Sequence, residues 1–150
     1  MNGNAILLVE DDSNDVLLIR RAFDRAGLSS PLHAVEDGEA AVQYLTGEGP
    51  YADRARHPLP AIMLLDLKLP RRSGLEVLAW VRGVAELKRL PIVVLTSSRE
   101  SVDVNGAYDL GANSYLVKPG SFDDLTRLVQ AFDGYWMDWN ENPEIKAGAA

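Results

Sequence analysis

Short apolar runs alternate with helix-like segments along the whole chain. The runs predict five β-strands, at Ala5–Val9, Leu32–Val35, Ala61–Leu65, Pro91–Leu95 and Ser114–Val117. The first of them, AILLV, has no polar face, which is typical of a strand that is covered on both sides. The pattern therefore predicts a sheet buried between two layers.

Between the strands, apolar residues recur at spacings of three and four, the period of an amphipathic helix. After the first strand, Val16, Ile19 and Phe23 share one helix face, with Ser13 as a candidate cap and Gly27 as a candidate end. Four further helices are predicted in the segments DGEAAVQYLTG, GLEVLAWVRGVAEL, SVDVNGAYDLG and SFDDLTRLVQAF.

Five strand–helix units in succession predict a doubly wound α/β fold with a five-stranded parallel sheet and helices on both faces. Strands that are joined by helices pair in parallel through right-handed crossovers. We expect one domain over residues 1–141, including an extended last helix, and a flexible tail over residues 142–150. The long Gly- and Pro-rich loop of residues 46–60 is expected to be functional or mobile.

Composition narrows the range of partners. The net charge of −7 argues against a nucleic-acid partner and against docking to an anionic membrane. There is no cysteine, which excludes disulfides and thiol chemistry. No apolar run approaches the roughly 20 residues that span a bilayer. We therefore expect a cytoplasmic protein that binds neither nucleic acid nor membrane.

Polar residues stand directly after the predicted strands. Glu10 and Asp11 follow the first strand, and Asp66 follows the third. Thr96 follows the fourth strand, and Lys118 follows the fifth. Because sites in open α/β sheets lie outside the carboxyl ends of the strands, we expect these five side chains to share one edge.

Such a set suits the transfer of a phosphoryl group to a carboxylate. Clustered carboxylates repel one another, and a hard cation such as Mg²⁺ removes that repulsion. A carboxylate can attack phosphorus, while a metal and a lysine neutralise the phosphoryl oxygens. Each residue also has an ordinary interpretation as a helix cap, a turn residue or a solvated charge, and we favour capping for Asp12 and Asp37.

Four segments, LLVEDD, LLDLKLP, VLTSS and YLVKP, resemble in order and spacing the receiver domain of two-component response regulators, over about residues 4 to 135. The resemblance implies the flavodoxin-like or CheY-like sheet order 2-1-3-4-5, with five helices. It also implies a signalling protein, not an enzyme beyond its own phosphorylation and dephosphorylation. A sensor histidine kinase would supply the phosphoryl group.

The resemblance assigns a metal site and a phosphoacceptor. Asp66 would accept the phosphoryl group and, with Glu10, Asp11 and the backbone carbonyl of Lys68, would bind Mg²⁺ or Mn²⁺. Many receivers have two aspartates where this chain has Glu10 and Asp11, so Asp11 is favoured as the direct ligand and Glu10 would reach the metal through water. The effect of the Lys68 side chain on the phosphoryl lifetime stays open.

The resemblance also assigns a switch. Thr96 and Lys118 would contact the phosphoryl group, and Tyr115 would be the aromatic residue whose rotamer follows Thr96. Pro119 would form a bend after the fifth strand with a cis peptide bond.

The loop of residues 46–60, the LLDLKLP segment and the segment FDGYWMDWN resemble the single-domain regulators that serve phytochrome-type kinases. No output domain is expected after residue 135, so the output would be a protein contact. Tyr135, Trp136 and Trp139 would extend the last helix and contribute, with helix four, strand five and helix five, to a homodimer. The alternative is that these aromatic residues fold back over their own domain.

Three other functions remain as alternatives. An aspartyl phosphatase of the haloacid dehalogenase type shares the nucleophile and the metal, but it has a second aspartate two residues after the nucleophile, where this chain has Lys68. A flavin- or nucleotide-binding sheet would need a glycine-rich phosphate loop, which is absent. A degenerate receiver is disfavoured, because every expected site residue is present.

Overall fold

The computed structural model describes residues 4–145. Within this range five strands and five α-helices alternate, with one 3₁₀ turn and one π-helical segment: β1 (Ile6–Val9), α1 (Ser13–Arg25), β2 (Leu32–Val35), α2 (Gly38–Thr46), a 3₁₀ turn (Gly49–Tyr51), β3 (Ile62–Leu65), α3 (Gly74–Gly83), β4 (Ile92–Thr96), α4 (Ser101–Asp109), β5 (Ser114–Val117), α5 (Phe122–Asp133) and a π-helical segment (Gly134–Trp139).

The strands form one parallel sheet in the order β2-β1-β3-β4-β5, which confirms the predicted fold class and sheet order. The register places Val9 beside Leu65 and Leu65 beside Val94. β1 and β3 end level, and β4 runs two residues farther, so that Thr96 is the last residue of β4 and not, as predicted, the first residue after it. Glu10, Asp66 and Thr96 still emerge at one edge of the sheet.

Both faces of the sheet are buried by helices. Ile6 and Leu8 face a core that α1 and α5 cover, whereas Leu7 and Val9 face a second core that α2, α3 and α4 cover. The uninterrupted apolar run of β1 is therefore required, since each face needs its own apolar residues. No helix of residues 4–145 is long and apolar enough to cross a membrane.

Two helix boundaries differ from the prediction. Asp12, not Ser13, caps α1, and its carboxylate accepts hydrogen bonds from the backbone amides of Asn14 and Asp15. The predicted capping role of Asp12 is thereby confirmed. Helix α3 ends at Gly83, before the predicted end, and Val84 is in an extended conformation. The Arg82 guanidinium donates to the carbonyls of Leu90 and Gly111.

The chain after α5 departs further from the predicted structure than these two helix boundaries do. Residues 134–139 do not continue the α-helix but form a π-helical segment, and the amide of Asn140 donates to the carbonyl of Tyr135 at 2.7 Å. The chain then crosses to the other face of the sheet, where Ile145 is buried in the core against which α3 packs. The flexible tail expected over residues 142–150 stays a prediction, and residues 146–150 lie outside the described residues.

The loop of residues 46–60 is fixed by one arginine. The Arg54 guanidinium donates to the carbonyls of Tyr44 and Leu45 at the end of α2 and to the carbonyl of His57. It also lies over the Tyr44 ring, which in turn contacts the ring of Tyr51. Since the loop leads into the amino end of β3, it lies at the sheet edge opposite the polar residues.

Candidate functional site

The backbone places the acidic residues side by side. The amide of Asp66 donates to the carbonyl of Val9 at 3.0 Å, which continues the β1–β3 pairing to the first residue after β3. One carboxylate oxygen each of Glu10, Asp11 and Asp66 lie within 4.8 Å of one another. The predicted clustering of these three residues is therefore present.

A glycine that the sequence pattern did not mark supports the same strand end. Gly74 begins α3, and a Cβ atom at this position would collide with the backbone of Asp66 and Leu67. Its amide also donates to the carbonyl of Leu67 at 3.0 Å. Only glycine lets α3 approach the candidate phosphoacceptor this closely. A glycine at the first position of a predicted helix was the available signal.

The acidic cluster is mostly buried. Glu10 is 3% exposed and Asp66 is 6% exposed, whereas Asp11 faces solvent. Burial raises the pKa of the Glu10 carboxyl to about 7; the hydrogen bond from Lys118 opposes this shift and the charge of Asp66 reinforces it. Three close carboxylates with a buried member are costly to ionise together, and a divalent cation would remove that cost.

Lys118 neutralises the cluster from the other side. Its ammonium donates to Glu10 at 2.5 Å, to Asp15 at 2.9 Å and to Asp66 at 3.3 Å. Burial lowers the pKa of this ammonium, but its carboxylate partners outweigh that effect and the pKa is raised. Asp15 was not among the predicted site residues. Its position in the first turn of α1, close to the acidic pair, was the available signal.

Thr96 supplies a hydroxyl that has no partner. The residue is 1% exposed, and among the described residues its Oγ1 atom has no hydrogen-bond partner. Buried hydroxyls are nearly always paired, so an unpaired one beside an acidic cleft indicates a place for a ligand. The cleft itself is lined by Thr96, Lys68, Lys118 and the acidic residues.

The predicted switch residue and its neighbour lie next to this cleft. The hydroxyl of the half-buried Tyr115 donates to the carbonyl of Ser98 at 2.9 Å, two residues after Thr96. Burial raises the pKa of the Tyr115 hydroxyl. Whether its rotamer follows Thr96 stays a prediction. The predicted cis bond before Pro119 is wrong, because residues 4–145 contain no cis peptide and the trans isomer is the default even before proline.

The Lys68 side chain lines the cleft, but its ammonium pairs with a residue outside the acidic cluster. Its amide donates to Asp66 Oδ1 at 3.4 Å, but its ammonium lies 3.5 Å from Asp103 in α4. The same Asp103 accepts a hydrogen bond from the hydroxyl of Ser98. The predicted role of the Lys68 carbonyl as a metal ligand stays a prediction.

These residues fit a hard divalent cation. Carboxylate oxygens are the ligands that Mg²⁺ and Mn²⁺ prefer, and Glu10, Asp11 and Asp66 could all reach one ion. A lysine and an unpaired hydroxyl at the same cleft add a cation and a donor for an anionic group. The arrangement can therefore hold a metal together with a phosphoryl group.

The aromatic segment after α5 divides into two parts. Trp136 and Met137 pack against the core that α1 and α5 cover, as the fold-back alternative expects. Tyr135 and Trp139 are 57% and 84% exposed. Beside them an apolar cavity lies between β5 and α5, lined by Leu116, Leu128, Phe132, Tyr135 and Trp136, among others.

A doubly wound sheet of this order, with acids, a hydroxyl and a lysine at its carboxyl edge, defines the CheY-like class of folds. Residues 6–130 match the response regulator receiver domain, and the chain belongs to this family. Proteins of this family are signalling proteins that interact with sensor histidine kinases.

Two relatives are similar over most of their length. The probable methanogenesis regulatory protein FilR2 of Methanothrix harundinacea is 42% identical over 92% of this chain and 86% of its own. The response regulator Rcp1 of Synechocystis is 38% identical over 89% of this chain and 88% of its own.

Solved structures agree with this assignment. The response regulator RPA3017 in red light signaling of R. palustris superimposes with a TM-score of 0.89 at 34% identity, over 94% of this chain and 99% of its own. The phosphorylated cyanobacterial phytochrome response regulator RcpA superimposes with a TM-score of 0.86 at 35% identity, over 95% of this chain and 99% of its own. The Mn²⁺-bound form of Rcp1 superimposes with a TM-score of 0.83 at 37% identity, over 94% of this chain and 99% of its own.

Proposed function

We propose that the protein accepts a phosphoryl group on Asp66, with Mg²⁺ or Mn²⁺ bound by Glu10, Asp11 and Asp66. One observation carries the proposal: the three carboxylates that meet within 4.8 Å share their cleft with a cation, Lys118, and with the unpaired hydroxyl of Thr96. The phosphorylated state of RcpA and the Mn²⁺-bound form of Rcp1 support the same chemistry here.

The chain's own residues account for the steps. A carboxylate oxygen of Asp66 forms a bond to phosphorus while the bond from phosphorus to the donor, a histidine nitrogen or an acyl oxygen, breaks and the donor leaves with that electron pair. Lys118 neutralises the phosphoryl oxygens, and Thr96 donates its hydroxyl hydrogen to one of them. A bound divalent cation would add Lewis-acid stabilisation of the same oxygens. Hydrolysis of the acyl phosphate by water would reset Asp66.

The proposed phosphoryl donor is a sensor histidine kinase of the phytochrome type. RcpA is a phytochrome response regulator and RPA3017 takes part in red light signaling, and both superimpose over nearly their whole length. Small phosphoryl donors such as acetyl phosphate would serve in vitro, because Asp66 and the metal cleft belong to this chain.

The proposed output is a homodimer formed through α4, β5, α5 and the π-helical segment. Apolar side chains are exposed along this surface, namely Val102, Tyr108, Leu110, Tyr135 and Trp139. Exposed apolar and aromatic side chains are enriched in protein interfaces.

Phosphorylation with a small donor tests the central proposal. The protein is incubated with acetyl phosphate and Mg²⁺ and separated on a phosphate-affinity gel. We expect an acid-stable, base-labile phosphoprotein that needs the divalent cation and is absent in Asp66→Asn. Asp53→Asn, which changes an exposed carboxylate in the 46–60 loop, is the matched control and should label normally. Labelling that persists in Asp66→Asn would overturn the proposal.

The same protein distinguishes the phosphatase alternative. A haloacid dehalogenase-type phosphatase would hydrolyse phosphate monoesters with many turnovers. We expect no such turnover, because Lys68 occupies the position of the second aspartate. Multiple turnovers with a phosphate monoester would favour the phosphatase.

A further inference from the structure

We propose that Asp103 is a positioning residue that holds the ammonium of Lys68 away from Asp66 until a phosphoryl group competes for it. The inference rests on the proposed phosphorylation of Asp66 and adds a residue from α4 to that reaction. It also gives the Lys68 side chain, whose effect the sequence left open, a direction of action.

The geometry defines a fixed partner and a movable one. Lys68 is anchored at its backbone, where its amide donates to Asp66 Oδ1, while its ammonium reaches Asp103 at 3.5 Å. The Lys68 side chain is 71% exposed, and that of Asp103 is only 17% exposed. A lysine stem of four carbons turns freely about its bonds. The ammonium can therefore move, whereas the carboxylate stays in place.

Asp103 is held by more than the ion pair. It lies in the first turn of α4, where its amide donates to the carbonyl of Glu100. Its carboxylate accepts a hydrogen bond from the hydroxyl of Ser98 at 2.5 Å. The carbonyl of Ser98 in turn accepts a hydrogen bond from the hydroxyl of Tyr115. Asp103 therefore connects the loop after Asp66 with the start of α4 and with the predicted switch residue.

The charges favour a change of partner upon phosphorylation. In the structure Lys118 is already bonded to three carboxylates, whereas Lys68 is paired with Asp103. A phosphoryl group on Asp66 would bring about two negative charges near the backbone of Lys68, against one on Asp103. The ammonium would then turn toward the phosphoryl group, and Asp103 would keep only its contact with Ser98.

Four variants separate this role from a structural one. Asp103→Asn removes the charge and keeps an oxygen that can accept from Ser98. Lys68→Met removes the ammonium and keeps the length of the side chain, while Lys68→Arg keeps the charge. Ser98→Ala breaks the hydroxyl contact and leaves the ion pair intact. Initial rates of phosphorylation by acetyl phosphate with Mg²⁺ are compared, and circular dichroism confirms the fold of each variant.

An exposed ion pair predicts a modest effect. We expect Asp103→Asn to raise the phosphorylation rate about two- to fivefold, because Lys68 is then free to meet the incoming dianion. The gain should vanish when Asp103→Asn is combined with Lys68→Met, and it should return with Lys68→Arg. Ser98→Ala alone should give no gain.

Three results would overturn the inference. The first is an unchanged rate in Asp103→Asn, and the second is an equal gain in the Lys68→Met background. The third is a gain in Ser98→Ala that matches that of Asp103→Asn, since Asp103 would then act through Ser98. In all three the wild-type chain is labelled and the proposed function stands. A wild-type chain that takes no label would remove the proposed function and this inference with it.

Discussion

The ammonium of Lys118 donates a 2.9 Å hydrogen bond to Asp15. Asp15 lies outside the cluster of three carboxylates that could bind a metal. Glu10 and Asp66, the other two partners of Lys118, belong to that cluster. Asp15 can therefore keep the lysine in the cleft when the clustered carboxylates turn toward a cation. Without a metal ion, the single positive charge of Lys118 offsets part of the negative charge of these three carboxylates.

Replacing Lys118 should show how much its charge stabilises the metal-free protein. We expect Lys118→Met to lower the free energy of unfolding of the metal-free protein by about 2 kcal/mol, because buried carboxylates lose their cation. Excess Mg²⁺ should restore part of the loss. Urea unfolding with and without Mg²⁺ measures both effects, with Lys88→Met at an exposed position as the control. Equal stability of Lys118→Met and wild type without Mg²⁺ would contradict the charge balance.

The raised pKa of Glu10 predicts a pH dependence. The pKa is about 7 in the folded protein against 4.5 for an ordinary glutamate, so the folded state binds more protons between these values. The stability from this group is fully present below pH 4.5 and is lost as the pH rises through 7. Relative to Glu10→Gln, the metal-free wild type should lose about 2 to 3 kcal/mol of unfolding free energy over that range. Parallel pH profiles of the two proteins would contradict the assignment.

The arginine of the 46–60 loop should stabilise the protein without affecting phosphorylation. Arg54→Met removes donors from the carbonyls of Tyr44, Leu45 and His57, and we expect a loss of about 2 kcal/mol and faster amide exchange in the loop. Arg54→Lys should not restore the stability, since an ammonium lacks the planar fork. Arg56→Met, at an exposed neighbour, is the control. Loss of phosphorylation in a folded Arg54→Met protein would instead connect the loop to the site.

The two tryptophans of the π-helical segment should differ in their effects. Trp139 is exposed, so Trp139→Ala should leave stability unchanged and weaken the proposed homodimer at least tenfold. Trp136 packs on its own domain, so Trp136→Ala should lower the melting temperature. Sedimentation velocity over a concentration series and thermal unfolding measure the two effects. A Trp139→Ala protein that dimerises like wild type would remove Trp139 from the interface.

The sheet and the positions of the site residues followed from the sequence, because continuous apolar strands and the polar residues after them depend on local patterns. The segment after α5 did not follow, since an aromatic run suits an α-helix and a π-helix equally well. The burial of Ile145 depends on contacts with α3 that no local pattern records. Asp15 and Asp103 were missed for the same reason: each pairs with a lysine that lies far away in the sequence.

The residue that carries the phosphoryl group can be located directly. Borohydride reduces an aspartyl phosphate to homoserine, and peptide mass spectrometry then identifies the position. After incubation with acetyl phosphate and Mg²⁺, we predict homoserine at residue 66 and at no other carboxylate of the cleft. Homoserine at Asp11 or Asp15, or a phosphorylated chain with Asp66 intact, would contradict the assignment of Asp66 as the phosphoacceptor.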